Sequence, residues 1–151
     1  MKYLQVVIFF LLVGCSVAKL TDLPKSAAEV DFDNLSRINE QSSPFWTSKT
    51  SSEYYLELPK TTDSLLYKAI LSSFVANGYQ KKYLNIANRS YLAERGRRAN
   101  EWSTLTCVYY KINDENTQIY VKSQITQDIT GGWRENRAKK VAERIEKYFQ
   151  Y

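Results

Sequence analysis

Arg95, Arg97 and Arg98 crowd around Gly96, Tyr109 stands with Tyr120 and Lys122 on two β-rich runs, and single cysteines occupy positions 15 and 107. The arginines could grip phosphate or other anionic groups, because a planar guanidinium offers paired N–H donors. The tyrosines and the lysine, with Tyr83 or Tyr91 nearby, could form an aromatic platform for a sugar, a peptide or a partner protein. Glu94 and Glu101 flank the arginine loop and are the nearest approach to the carboxylate pair of glycoside hydrolysis. Each has a plainer reading: a solvated loop, rim packing in a chain with twelve tyrosines, and two unrelated surface acids. Thr130-Gly131-Gly132, followed by Arg134 and Arg137, offers free backbone N–H groups to an anion, although capping by Thr130 explains it as well.

An absence weighs more than any of these. The 151 residues contain no histidine, which removes the usual general base, the Ser-His-Asp and Cys-His nucleophile systems, and every histidine-containing zinc site. Two cysteines cannot supply an all-thiolate zinc site either. No catalytic residue, cofactor or metal is therefore expected, although carboxylate or lysine chemistry stays open.

The amino terminus carries the most specific signal. Lys2 is a minimal positive region, and Tyr3 to Val13 is apolar except for Gln5, the layout of a secretory leader. The run is too short to span a bilayer, which takes roughly 20 apolar residues. Leu12-Val13-Gly14-Cys15 then resembles the bacterial lipobox. That resemblance implies lipidation of the Cys15 sulfur, cleavage of residues 1–14, and acylation of the new amine. Several acyl chains at ~0.8 kcal/mol per buried CH₂ would hold a domain at a bilayer essentially permanently, and one would not. Two other readings use the same residues: cleavage after Ala18 at the small-x-small triplet Ser16-Val17-Ala18, and an uncleaved apolar segment with Cys15 as an ordinary side chain. The residue after the cysteine is Ser16, not the Asp of inner-membrane retention, so the resemblance implies an outer-membrane anchor facing the periplasm, or the cell membrane where there is no outer one. Loss of the leader removes Lys2 and lowers the formal charge from +5 to +4. A balance so mildly basic, in that compartment, does not point to nucleic acid. With Cys15 lipidated, Cys107 is the one free thiol, and an oxidising compartment requires it to be protected.

The elements that must position these residues follow from periodicity. Residues 15–52 read as the lipidated terminus and a tether, polar and broken by Pro24 and Pro44, with a short helix near Ala27 to Ile38. Phe45 and Trp46 are apolar residues stranded in it, either for a partner or for the domain's own surface. Residues 53–151 read as the folded domain. Tyr54 to Leu58 is a strand, and Thr62 or Asp63 caps a helix bearing Leu65, Leu66, Ala69, Ile70, Phe74 and Val75 that stops at Asn77-Gly78. Lys82 to Ala87 and Ser90 to Glu94 are short strands, and residues 95–100 are a loop. Glu101 to Ile112 and Thr117 to Gln127 form a hairpin around Asn113 to Asn116. The period of two sets Tyr110 against Ile119, Val108 against Val121, Thr106 against Ser123 and Thr104 against Ile125 as the core face. The opposite face, with Cys107, Tyr109, Tyr120 and Lys122, is left partly exposed or covered by something else. A final helix runs from about Trp133 to Phe149, with Glu135/Lys139 and Glu143/Lys147 as i,i+4 pairs.

The expected fold is α+β: a two-layer sandwich in which two amphipathic helices cover one face of an antiparallel sheet of about four strands. This order of elements is similar to that of the small domains of outer-membrane assembly lipoproteins such as BamC and LptE, a fold-level likeness that carries over no residue. The expected function is a lipid-anchored, non-enzymatic binding or scaffold domain with envelope protein partners, and its alternative a carrier of a lipid, peptidoglycan fragment or anion between sheet and helices.

Overall fold

A computed structural model describes residues 23–38, 51–96, 103–126 and 135–150. Two short 3-10 helices, Ala27–Glu29 and Phe32–Arg37, precede β1 (Ser51–Pro59), α1 (Asp63–Ala76), β2 (Lys81–Asn85), β3 (Ser90–Arg95), β4 (Thr104–Ile112), β5 (Asn116–Ile125) and α2 (Arg137–Tyr148). The five strands form one antiparallel sheet in the order β1-β5-β4-β3-β2, one strand more than expected. The last four make a meander, and β1 closes the far side by pairing with β5. No helix among the described residues is long and apolar enough to cross a membrane.

The central hairpin has the register that its alternation dictates, with Tyr110 opposite Ile119, Val108 opposite Val121, Thr106 opposite Ser123 and Thr104 opposite Ile125. Those residues face the helices. Leu66, Ile70 and Phe74 of α1 and Val141 and Ile145 of α2 are fully buried against Val108, Tyr110, Ile119 and Val121. At ~25 cal/mol per Å² of apolar surface removed from water, this layer supplies most of the drive to fold. Its polar atoms are paired: Tyr79 Oη, Thr106 Oγ1 and Ser123 Oγ form a buried chain, and Ser73 Oγ donates to the Val141 carbonyl at 2.7 Å, joining the helices. Tyr110 Oη donates to Asp63 Oδ1 at 2.6 Å and ties β4 to the start of α1.

Helix α1 begins and ends where its sequence requires. Thr62 Oγ1 accepts from Leu65 N, and Gly78 takes a φ of 76°, the left-handed conformation that lets the chain leave the helix. Its buried stripe is narrower than expected: Leu65 and Val75 are exposed, because residues 66, 69, 70, 73 and 74 already complete the face turned to the sheet. Helix α2 starts at Arg137, not Trp133, since Asn136 Oδ1 accepts from Lys139 N and fixes the cap there. Glu135 therefore precedes the helix and pairs with Lys140, while Lys139 turns to Glu143 at 3.9 Å.

The stretch read as tether does structural work. Leu23, Phe32 and Leu35 lie buried against Tyr55, Cys107, Tyr109 and Tyr120 on the sheet face away from the helices. That segment has no sustained periodicity, because its contacts are to a distant sheet and not to itself.

Candidate functional site

The sheet face opposite the helices is built in rows that the register aligns. One row runs Tyr55, Tyr120, Tyr109, Ser90, Asn85 from β1 to β2, and the next runs Glu53, Lys122, Cys107, Leu92, Tyr83. Tyr109 and Tyr120 stack with ring centroids 5.9 Å apart. They are not an open platform: both are buried, and Tyr109 Oη donates to the Pro24 carbonyl at 2.6 Å, under the amino-terminal segment. Lys122 is half-buried, with its ammonium 3.1 Å from Glu53 across the strand pair. Tyr109 and Tyr120 thus hold the domain's own amino-terminal segment down, and Lys122 ties β5 to β1. Burial raises the Tyr109 and Tyr120 hydroxyls far above the tyrosine range, with a nearby Glu53 adding to the rise at Tyr120. It also pushes the Cys107 thiol up to about 11.

The arginine loop is divided. Arg95 is the last residue of β3, and its side chain is 7% exposed, 3.8 Å from Glu135, which Arg137, equally buried, approaches at 4.0 Å. It therefore clasps the start of α2 to the sheet and does not point outward. Arg97, Arg98 and Glu101 lie outside the described residues, as do Cys15, Phe45, Trp46, Thr130, Gly131, Gly132, Trp133 and Arg134. Among the described residues no three cysteine or acidic side chains converge as metal ligands would.

What the amino-terminal segment leaves uncovered is the β2–β3 side of the face. Leu23, Pro24 and Lys25 form one wall of a groove of about 430 Å³, Leu92, Cys107 and Tyr109 its floor, and Tyr83 and Leu84 its outer rim. Along the second row exposure climbs from Cys107 at 4% to Tyr83 at 58%, so the face dries toward β4 and opens at the free edge.

The hairpin that makes this edge is held by local chemistry. Asn85 Oδ1 accepts from Asn88 N at 3.1 Å, and Ile86 O accepts from Arg89 N at 3.1 Å, so residues 85–89 close as an Asx-type turn. Arg89 carries a φ of 48°, a strained conformation for a side-chain-bearing residue, and its guanidinium lies 5.8 Å from the centroid of the Tyr110 ring. Ala27 N donates to the Asn88 carbonyl at 2.9 Å, which pins the amino-terminal segment beside the turn. The product is a fixed tip from which Tyr83, Leu84 and Ile86 stand 58%, 40% and 63% exposed. The composition of residues 82–87 and 90–94 marks strands here but not the apolar edge, because alternation says which face a residue takes and not whether a neighbouring element covers it. The legible signal was Tyr83-Leu84-Asn85-Ile86, three large apolar residues next to a turn.

The rows, groove and fixed tip define a small two-layer α+β domain with one helix-covered face and one face partly closed by its own amino-terminal segment. No protein-family model matches the chain, and no curated protein matches it.

Proposed function

We propose that the chain is a lipoprotein anchored through Cys15 in the outer membrane, facing the periplasm, whose α+β domain binds or scaffolds other envelope components without catalysing a reaction. The observation that carries this reading is Leu12-Val13-Gly14-Cys15 at the end of an apolar leader. The fold is compatible with it in a specific way. Leu23 is buried against the sheet only eight residues beyond Cys15, so an acyl anchor on that sulfur sits at most about 28 Å of extended chain from the groove. The uncovered half of the outer face is then the surface presented to an envelope component. The carrier alternative has less room where it was expected, since Leu66, Ile70, Phe74 and Ile145 fill the space between sheet and helices and the groove opens on the other face.

Replacing Cys15 by alanine tests the reading. The variant should leave the membrane fraction or persist as an unprocessed precursor. A Cys15→Ala chain that stays with membranes at the mature mass of the parent would contradict it.

A further inference from the structure

We propose that the tip of the β2–β3 hairpin is a second membrane contact, an apolar finger that rests on an anionic phospholipid surface beside the anchored amino terminus. This inference rests on the lipoprotein reading above and names the partner of the surface described there. The tip presents Tyr83 on one face of the edge strand, Leu84 on the other and Ile86 at the turn, all substantially exposed. Single exposed apolar residues are ordinary on a soluble domain, but three within four positions of one edge are a cluster that gains by burial. An aqueous protein partner is one means of burying them; chain length favours a bilayer. The amino-terminal segment joins the domain at Leu23 and is bonded to the tip through Ala27 N and the Asn88 carbonyl. An anchor at Cys15, at most about 28 Å from Leu23, therefore keeps this tip within reach of the bilayer.

Charge agrees at the hairpin itself. Strands β2 and β3 and their turn carry Lys81, Lys82, Arg89 and Arg95 against one acidic residue, Glu94, which stands opposite Lys81, and Lys25 lines the adjoining groove. Cations close to an anionic leaflet are drawn to it. Glu29, Asp31 and Asp33 lie on the neighbouring segment, where Asp33 is 3.8 Å from Lys111 and Glu29 accepts from Lys25 N. Attraction from the hairpin is thus partly offset, and the apolar residues must carry a share of the binding.

The probe is the chain from residue 15 onward with Cys15→Ser, made without the leader so that it bears no acyl group. It is mixed with vesicles of phosphatidylcholine alone or with one third phosphatidylglycerol. The chain should sediment with the anionic vesicles, and Leu84→Ser with Ile86→Ser should weaken that binding by about tenfold or more, as losing two buried side chains implies. Both positions are exposed, so the melting temperature should not change, which separates lost binding from lost folding. Failure of the parent to bind anionic vesicles, or unchanged binding by the double variant, would overturn the proposal. So would loss of an envelope-protein complex in the double variant with vesicle binding intact, which would make the tip a protein interface. Because the probe is unacylated, either failure leaves acylation of Cys15 standing, and absence of acylation in cells leaves the vesicle result standing.

Discussion

Cys107 and the tyrosines beside it show what burial does to single groups. The thiol is 4% exposed beneath Leu23 and Tyr109, and desolvation raises its pKa to about 11 from an ordinary 9.0. At pH 8 the thiolate fraction then falls about a hundredfold below that of an exposed thiol, before steric shielding is counted. Labelling of the native protein by a disulfide reagent should be at least that much slower than labelling in denaturant, and equal rates would show that the segment does not cover the thiol. The same burial makes the fold alkali-sensitive. Tyr55 is raised to about 12 by desolvation and by its hydrogen bond to Glu57, and Tyr109, Tyr110 and Tyr120 are raised further, while the unfolded chain ionises near 9.0 for cysteine and 10.0 for tyrosine. Groups raised in the folded state stabilise it fully below the unfolded values, and that contribution is lost as pH climbs through the folded ones. Denaturant midpoints should therefore hold level to about pH 9 and decline steeply from pH 10 to 12. Tyr109→Phe removes the bond to the Pro24 carbonyl and should cost about 1 kcal/mol in chemical denaturation.

At the scale of elements, the amino-terminal segment is the piece whose role is least legible in the sequence and most distinct in the structure. Phe32→Ala, which empties a site against the Tyr109–Tyr120 stack, should cost about 3 kcal/mol and speed the labelling of Cys107 without changing the α1–α2 face. Loss of stability with no change in Cys107 reactivity would mean that the segment is not its lid. Gly78→Ala, at a φ of 76°, should cost about 1 kcal/mol through strain at the α1 terminus. The elements that were legible are those specified by neighbours in sequence. Thr62 and Asn77-Gly78 bound α1, and the alternation of β4 and β5 fixes every core pair between them, since a one-residue slip would turn Val108 and Val121 to the wrong face. The pairing of β1 with β5, the burial of Arg95 behind Glu135, and the covering of Tyr109 by Pro24 depend on contacts between residues far apart in the chain. No local periodicity encodes those, so Tyr109 and Tyr120 read with Lys122 as an open platform when the two tyrosines are the bed of the amino-terminal segment and Lys122 is paired with Glu53.

For the whole molecule, the two sheet faces divide the labour. Helices α1 and α2 cover one face but leave Leu84 of the edge strand exposed, and the second is closed over β1, β5 and β4 by residues 23–38 and left open over β3 and β2. Under the proposed anchoring, the leash meets the domain on the same side as the open groove, so that the site for an envelope component, the apolar tip and the bilayer lie together. Everything in that arrangement depends on the chemistry of one residue. Intact mass and fragmentation of the protein extracted from cell membranes should give a mature chain that begins at Cys15 and carries diacylglyceryl on sulfur and an acyl group on the amine. A mature chain that begins at Lys19, or one that retains residues 1–14 with an unmodified Cys15, would contradict the account at its centre.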